Sequence, residues 1–233
     1  MISPKVAKLI DYLPNGILTF FTKKVLDYII KKYVKLKIEG LENLQDIKKP
    51  VIFICNHLSN SDALILNKIL EKQEVTYVAG IKLTENATTN LGIKLLKTIV
   101  LKPNTADKEG LTKIINTVKA GNNILIFPEG TRSRTGHLIE AKKGLLLIAK
   151  ITGAPMIPIA LHGTEKFLPI SDSGDMAGES FHHANIEVKI GKPIQLVNRE
   201  KDEDKLLYEK RAMTMIMKSI AELLPEEYRG VYK

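Results

Sequence analysis

The sequence predicts an α/β fold, a largely parallel central sheet flanked by helices and preceded by an N-terminal amphipathic helical segment. Three observations lead there. Short β-branched runs recur along the chain, stretches with helical spacing separate them, and a composition of 44% hydrophobic and 26% charged residues over 233 positions is that of a chain able to bury a core. Apolar strands alternating with helices suit a parallel sheet, whose crossovers need helices and whose strands are buried on both faces.

A short helical pattern over Pro4–Leu13 meets a Pro14-Asn15-Gly16 turn. From Ile17 to Val34, Leu18, Phe21, Val25, Leu26, Ile29, Ile30 and Tyr33 recur at steps of three and four, with Lys23, Lys24, Lys31 and Lys32 at other positions. That spacing predicts a basic amphipathic helix, able to lie in the surface of an anionic bilayer or to pack on the protein's own core; periodicity admits both. Residues 1–34 are thus set apart as a helical, membrane-contacting unit, and 35–233 as the domain proper. Strands are expected at Val51–Cys55, Val75–Val78, Thr98–Leu101, Asn123–Phe127, Met156–Leu161 and Ile186–Ile190. Helices are expected at Ala63–Glu71, Thr89–Leu96, Lys108–Ala120, Lys142–Ile151 and Glu203–Leu224, and Pro169–Ala184 reads as a loop.

The net charge is +9, from 35 Lys and Arg against 26 Asp and Glu. More than half of that excess lies in residues 1–40, where eight Lys face Asp11, Asp27 and Glu39. Only five of the cations are Arg (132, 134, 199, 211 and 229), there is no Trp, and aromatics make up 6%. Base readout favours Arg forks and single-strand binding favours exposed aromatics, so nucleic acid is a poor partner and an anionic membrane surface a better one. No run approaches the length that spans a bilayer, and the N-terminus lacks the long apolar stretch of a signal peptide, which points to a peripheral protein on the cytoplasmic face. Cys55 is the only cysteine, so no intrachain disulfide and no cysteine zinc site can form.

In sheets of this kind, sites gather where strand ends meet helix starts. The first such junction is Asn56-His57-Leu58-Ser59-Asn60-Ser61-Asp62. On one helix, positions five apart lie about 140° out of phase. His57 and Asp62 can therefore meet only if the histidine precedes the helix and the aspartate opens it, and Asn60 or Ser61 could cap that helix. A carboxylate on one imidazole nitrogen would fix the tautomer and leave the other nitrogen to accept a proton. The alternative is a structural histidine beside a helix-start carboxylate. The second junction is Phe127-Pro128-Glu129-Gly130-Thr131-Arg132-Ser133-Arg134. There Gly130 lets a ligand approach the backbone, Thr131 offers a hydroxyl and Arg132 can fork onto a phosphate, while Glu129 suits orienting Arg132 or binding a ligand hydroxyl. Cys55, ending an apolar strand, reads as a small buried hydrophobe, and Ser59 and Ser61 as turn and cap residues. His162, after the Pro158 strand, reads as structural, with lining the pocket as the alternative, and the adjacent His182 and His183 would point apart on an extended chain, without the Cys or paired carboxylates a metal would need.

His-x-x-x-x-Asp after one strand and Phe-Pro-Glu-Gly-Thr-Arg after another, about 70 residues later, together resemble the phospholipid/glycerol acyltransferase superfamily, and most closely its 1-acylglycerol-3-phosphate (lysophosphatidate) acyltransferases. Ala154-Pro155-Met156-Ile157-Pro158-Ile159-Ala160 and the segment from Ile186 to Ile194 extend the resemblance over about residues 35–195. It implies transfer of an acyl group from acyl-CoA or acyl carrier protein to the hydroxyl of a lysophospholipid, with 1-acylglycerol-3-phosphate giving phosphatidate as the leading case. His57 and Asp62 would be catalytic; Asn56, Lys102, Glu129, Gly130, Thr131 and Arg132 would bind substrate; no metal or cofactor is expected. Lys102 stands where the family usually carries an Arg, so charge is kept and the bidentate fork lost. Another lyso-lipid or glycerol-phosphate acceptor, a thioesterase or lipid hydrolase using the same pair, and a non-enzymatic lipid binder are the alternatives.

The chemistry asks little else. An acyl thioester is already activated, and the barrier lies in making the alcohol attack, which needs a positioned base. His57 fits that role, with Asp62 stabilising the imidazolium and the proton passing on to the departing thiolate.

Overall fold

Strands form where the apolar runs lie, and in the computed structural model they assemble into one seven-stranded sheet. The structure describes residues 15–81, 96–102, 107–171 and 179–233. The helix expected at Pro4–Leu13, most of that expected over 89–96, Pro14, and part of the Pro169–Ala184 loop lie outside the described residues.

Helix α1 (Asn15–Tyr33) runs directly into β1 (Val34–Glu39). There follow β2 (Ile52–Cys55), α2 (Asp62–Ile69), β3 (Thr76–Gly80), β4 (Thr98–Leu101), α3 (Lys108–Lys119), β5 (Ile124–Ile126) and α4 (Gly144–Thr152). The chain ends with β6 (Met156–His162), the short α5 (Thr164–Phe167), β7 (Ala184–Ile190) and α6 (Lys205–Ala221). Asn15 and Gly16 are the first residues of α1, so the expected turn does not include them.

The strand order is β1-β7-β6-β2-β5-β3-β4. Every neighbouring pair is parallel except β6 and β7, where Ile159 faces Ile190 in antiparallel register. The sheet is thus parallel across β6-β2-β5-β3-β4, with the parallel pair β7 and β1 attached in the opposite sense. Sequence alone did not flag β1, whose Val34-Lys35-Leu36-Lys37-Ile38-Glu39 alternates half-buried and exposed positions as an edge strand does.

Alternation also sorts the core into two layers. Phe53, Cys55, Leu125, Ile157, Ile159 and Leu161 face one side and pack with Ile65 and Leu66 of α2, Phe167 of α5 and Ile30 of α1. Ile52, Ile54, Ile124, Ile126, Met156 and Ala160 face the other and pack with α3, α4 and α6 through residues such as Ile114, Ile148 and Ile216. The C-terminal helix therefore buries one face, including Tyr208, Ala212, Met217 and Ile220.

Helix α1 divides its apolar residues between two directions. Ile30 is buried, and Leu26, Ile29 and Tyr33 pack against the core. Phe20, Phe21, Val25 and Tyr28 are 58%, 59%, 52% and 63% exposed. Two ion pairs, Lys23 with Glu71 and Lys68 with Asp27, tie the docked side to α2 and the turn after it. Among the described residues, no helix is long and apolar enough to cross a membrane.

Candidate active site

The turn after β2 is built around one carboxylate oxygen. Asp62, the first residue of α2, is fully buried, and its Oδ2 accepts from Leu58 N at 2.7 Å and Ser59 N at 2.9 Å. The same oxygen lies 2.7 Å from His57 Nδ1. Because an ionised carboxylate only accepts, this contact places the ring proton on Nδ1 and leaves Nε2 as a proton acceptor. Asp62 Oδ1 is buried with no hydrogen-bond partner. The cap expected of Asn60 or Ser61 is absent: Ser61 occupies the cap position without a side-chain cap bond. Its own amide instead donates to Ser59 Oγ at 3.1 Å, and Ser59 Oγ donates to Leu168 O at 2.8 Å.

Phe127, just past β5, stacks on the His57 ring with centroids 4.0 Å apart and planes 15° from parallel. Sandwiched between that ring and the Asp62 contact, the imidazole has little rotational freedom. Its side chain is 17% exposed.

The Asn56 side chain turns into the sheet. Its Nδ2 donates to Leu161 O at 2.7 Å and its Oδ1 accepts from Leu161 N at 2.9 Å, so the amide extends the β2–β6 ladder by one more rung and is 2% exposed. Glu129 is also inward, contrary to its expected roles of orienting Arg132 or meeting a ligand. At 0% exposure, its Oε1 accepts from His57 N at 2.7 Å and its Oε2 from Ile139 N at 3.0 Å. Burial pushes its carboxyl up to about 7, against the opposing pull of those two amides, and the nearby Asp62 charge adds to the rise. Glu129 thus pins the His57 backbone to the second turn, and Ser133 N closes the same junction by donating to His57 O at 2.8 Å.

Gly130 has φ +67°, and a Cβ there would come within 2.9 Å of Lys142 Cγ, so both backbone conformation and space favour glycine. Thr131 and Arg134 are exposed. Arg132 Nη1 donates to Glu179 Oε1 at 2.6 Å, while Asn60 Nδ2 donates to Glu179 Oε2 at 2.9 Å. Lys102 follows β4, three strands from β2, and is exposed; its amide donates to Asp107 Oδ2 at 2.8 Å. The structure therefore brings His57, Asp62, Glu129, Gly130 and Arg132 to one end of the sheet and leaves Lys102 toward the sheet's edge.

Cys55 is fully buried and burial raises its thiol pKa, which disfavours a thiolate nucleophile. His162 packs on Tyr228 with centroids 5.0 Å apart, and burial lowers its pKa. His182 pairs with Ser180, and His183 packs on Tyr33. Among the described residues, no cluster of three or more His, Cys, Asp or Glu side chains is placed to hold a metal. Sequence reasoning missed the ring platform of Phe127, the second role of Asn60, and Glu179, which sits in a Ser-, Asp-, Gly- and His-rich loop where no spacing singles it out.

Residues 35–162 match the family model described as Acyltransferase, a span that contains both turns. The chain belongs to the acyltransferase family. Over 178 residues it is 33% identical to a chloroplast 1-acyl-sn-glycerol-3-phosphate acyltransferase, LPAT1, of Arabidopsis thaliana, covering 75% of this chain and 48% of that one. A 1-acyl-sn-glycerol-3-phosphate acyltransferase of Pseudomonas aeruginosa is 27% identical over 205 residues, covering 84% and 73%. The chain spans about half the length of the plant relatives it matches, 48% and 49%. Among solved structures, the 1-acyl-sn-glycerophosphate acyltransferase PlsC of Thermotoga maritima superposes with a TM-score of 0.60 at 22% identity, covering 89% of this chain and 83% of its own. That likeness places this member of the acyltransferase family in the same fold.

Proposed function

We propose that this acyltransferase-family protein transfers an acyl group from an acyl thioester, on coenzyme A or acyl carrier protein, to the free hydroxyl of 1-acylglycerol-3-phosphate, giving phosphatidate. The observation that carries the reading is the pairing of His57 Nδ1 with Asp62 Oδ2 at 2.7 Å on a strand end joined directly to the turn that bears Arg132. Its weight is increased by relatives named for the same reaction.

The steps follow from the groups. His57 Nε2 takes the proton of the acceptor hydroxyl as its oxygen attacks the thioester carbon, and the Asp62 carboxylate stabilises the resulting imidazolium. Collapse of the tetrahedral intermediate breaks the carbon–sulfur bond, and the imidazolium returns its proton to the leaving thiolate. No residue of the protein is acylated. Arg132 holds the acceptor's phosphate through charge-assisted hydrogen bonds, with Thr131 and the open backbone at Gly130 beside it.

The acceptor is a membrane lipid, and α1 supplies a surface to meet it. Its outward residues Phe20, Phe21, Val25 and Tyr28 stand among Lys24 and Lys32, whose ammonium groups lie over the Phe20 and Tyr28 rings. Aromatic side chains with neighbouring lysines suit the interface of an anionic bilayer, where the N-terminal segment would hold the enzyme peripherally.

Thiol release from acyl-CoA and from acylated acyl carrier protein, each measured with and without 1-acylglycerol-3-phosphate, tests the reading. Release that depends on this acceptor is expected; release without acceptor would make the protein a thioesterase, and no release with it under either donor would overturn the transferase assignment.

A further inference from the structure

Arg132 is the cation assigned above to the acceptor's phosphate, yet a carboxylate already holds it. Glu179 accepts from Arg132 Nη1 at 2.6 Å through one oxygen and from Asn60 Nδ2 at 2.9 Å through the other. Its side chain is only 2% exposed, and that of Arg132 15%. Two donors, one from each strand-end turn, thus converge on the two oxygens of one anion, which a third segment between α5 and β7 delivers. A phosphate monoester presents adjacent anionic oxygens to the same pair of donors.

The two anions exclude one another on charge. The Arg132–Glu179 pair carries no net charge, and a phosphate bearing about −1.5 to −2 would meet a buried carboxylate at contact distance. Among the described residues, no other ion pair neutralises Glu179 if Arg132 turns to the phosphate.

We propose that Glu179 is an internal surrogate for the acceptor's phosphate, displaced from Arg132 and Asn60 when the acceptor binds, and that Asn60 is thereby a second phosphate donor. The proposal rests on the reading of Arg132 as the phosphate grip and deepens it into a rule of selectivity. An acceptor has to outcompete a tethered carboxylate, present at high effective concentration. A phosphate monoester, with the larger charge and an unblocked face, does so; a phosphodiester headgroup, with a single charge and a substituent on that face, does so poorly. Glu179 is then a specificity-determining residue for lyso-lipids whose phosphate is terminal.

The test uses the full chain, Glu179→Ala and Glu179→Gln, with 1-acylglycerol-3-phosphate as acceptor and inorganic phosphate as competing inhibitor. Displacement predicts that the neutral replacements lower both the acceptor KM and the inhibition constant of phosphate by roughly tenfold, the scale of one charge-assisted hydrogen bond removed from the competition. It also predicts that lysophosphatidylglycerol, a phosphodiester, gains as an acceptor relative to the monoester. If Glu179 instead orients Arg132, the acceptor KM rises in both variants, and a raised or unchanged KM overturns the proposal. Glu179→Gln keeps the side-chain volume and decides the question if the alanine variant fails to fold. Arg132→Ala separates the two levels. An unchanged acceptor KM in that variant removes the phosphate grip itself, whereas a raised KM there without a gain in the Glu179 variants removes displacement alone.

Discussion

Two fully buried carboxylates stand at the ends of neighbouring strands, and they serve opposite purposes. Asp62 works on its own turn: its three contacts, His57, Leu58 and Ser59, lie within five residues of it. Glu129 works on other turns: its contacts are the amides of His57, 72 positions away, and Ile139, ten away. One carboxylate orients a ring; the other fixes where the backbone beneath that ring must be. A buried carboxylate beside a base is thus not by itself a catalytic partner, and the atoms it accepts from decide which kind it is.

The contrast can be broken at its strongest point first. His57→Ala should lower kcat by on the order of 10²- to 10⁴-fold while leaving the circular dichroism of the folded protein intact, and Asp62→Asn should act in the same direction. Near-wild-type turnover in the histidine variant would end the assignment of the base. Glu129→Ala should act on stability, because it leaves two amides without their acceptor; urea unfolding is expected to show a loss of about 2–4 kcal/mol. A raised acceptor KM with no loss of stability would instead make Glu129 a ligand contact. Arg132→Ala should raise the acceptor KM about tenfold or more, the worth of roughly 1.5–3 kcal/mol for a hydrogen bond to a charged group.

The same contrast predicts a pH effect. Burial raises the Glu129 carboxyl in the folded protein to about 7 from an ordinary value of 4.5. The folded state therefore binds the proton more tightly than the unfolded one, so the stabilisation linked to this group is present in full below about pH 4.5 and declines as pH rises through about 7. Thermal midpoints recorded across that interval should fall in the wild type relative to Glu129→Gln, which does not titrate. Parallel profiles for the two proteins would mean that Glu129 does not hold this proton.

What was legible in the sequence follows the same division between local and distant contacts. The interior strands β2 and β5 announce themselves as apolar runs because burial on both faces leaves a continuous pattern, and the edge strand β4, half-buried throughout, still reads as the β-branched run Thr98–Leu101. The edge strand β1 does not, since its apolar residues alternate with Lys35, Lys37 and Glu39 and form no continuous run. Likewise the His57–Asp62 pair was open to deduction from a five-residue spacing, as only one geometry lets the side chains meet. Glu129 and Asn56 look like ligand contacts in one dimension because what absorbs them, the amide of His57 and the backbone of Leu161, lies 72 and 105 positions away. For α1 the periodicity admitted docking or exposure, and the helix does both, because Leu26, Ile29 and Ile30 take one side while Phe20, Phe21 and Val25 take another.

The order of strands also has a consequence for how the molecule is made. The ladder from β2 to β6 comes from residues 52–162 and needs nothing outside them to pair its strands. By contrast, β1 has a single neighbour, β7, and Val34 meets Ala184 only once that late strand exists. On a ribosome, β1 accordingly emerges about 150 residues before the strand it pairs with, and its placement closes a loop of that length. Until then the amphipathic helix joined to β1 has no sheet edge to anchor it.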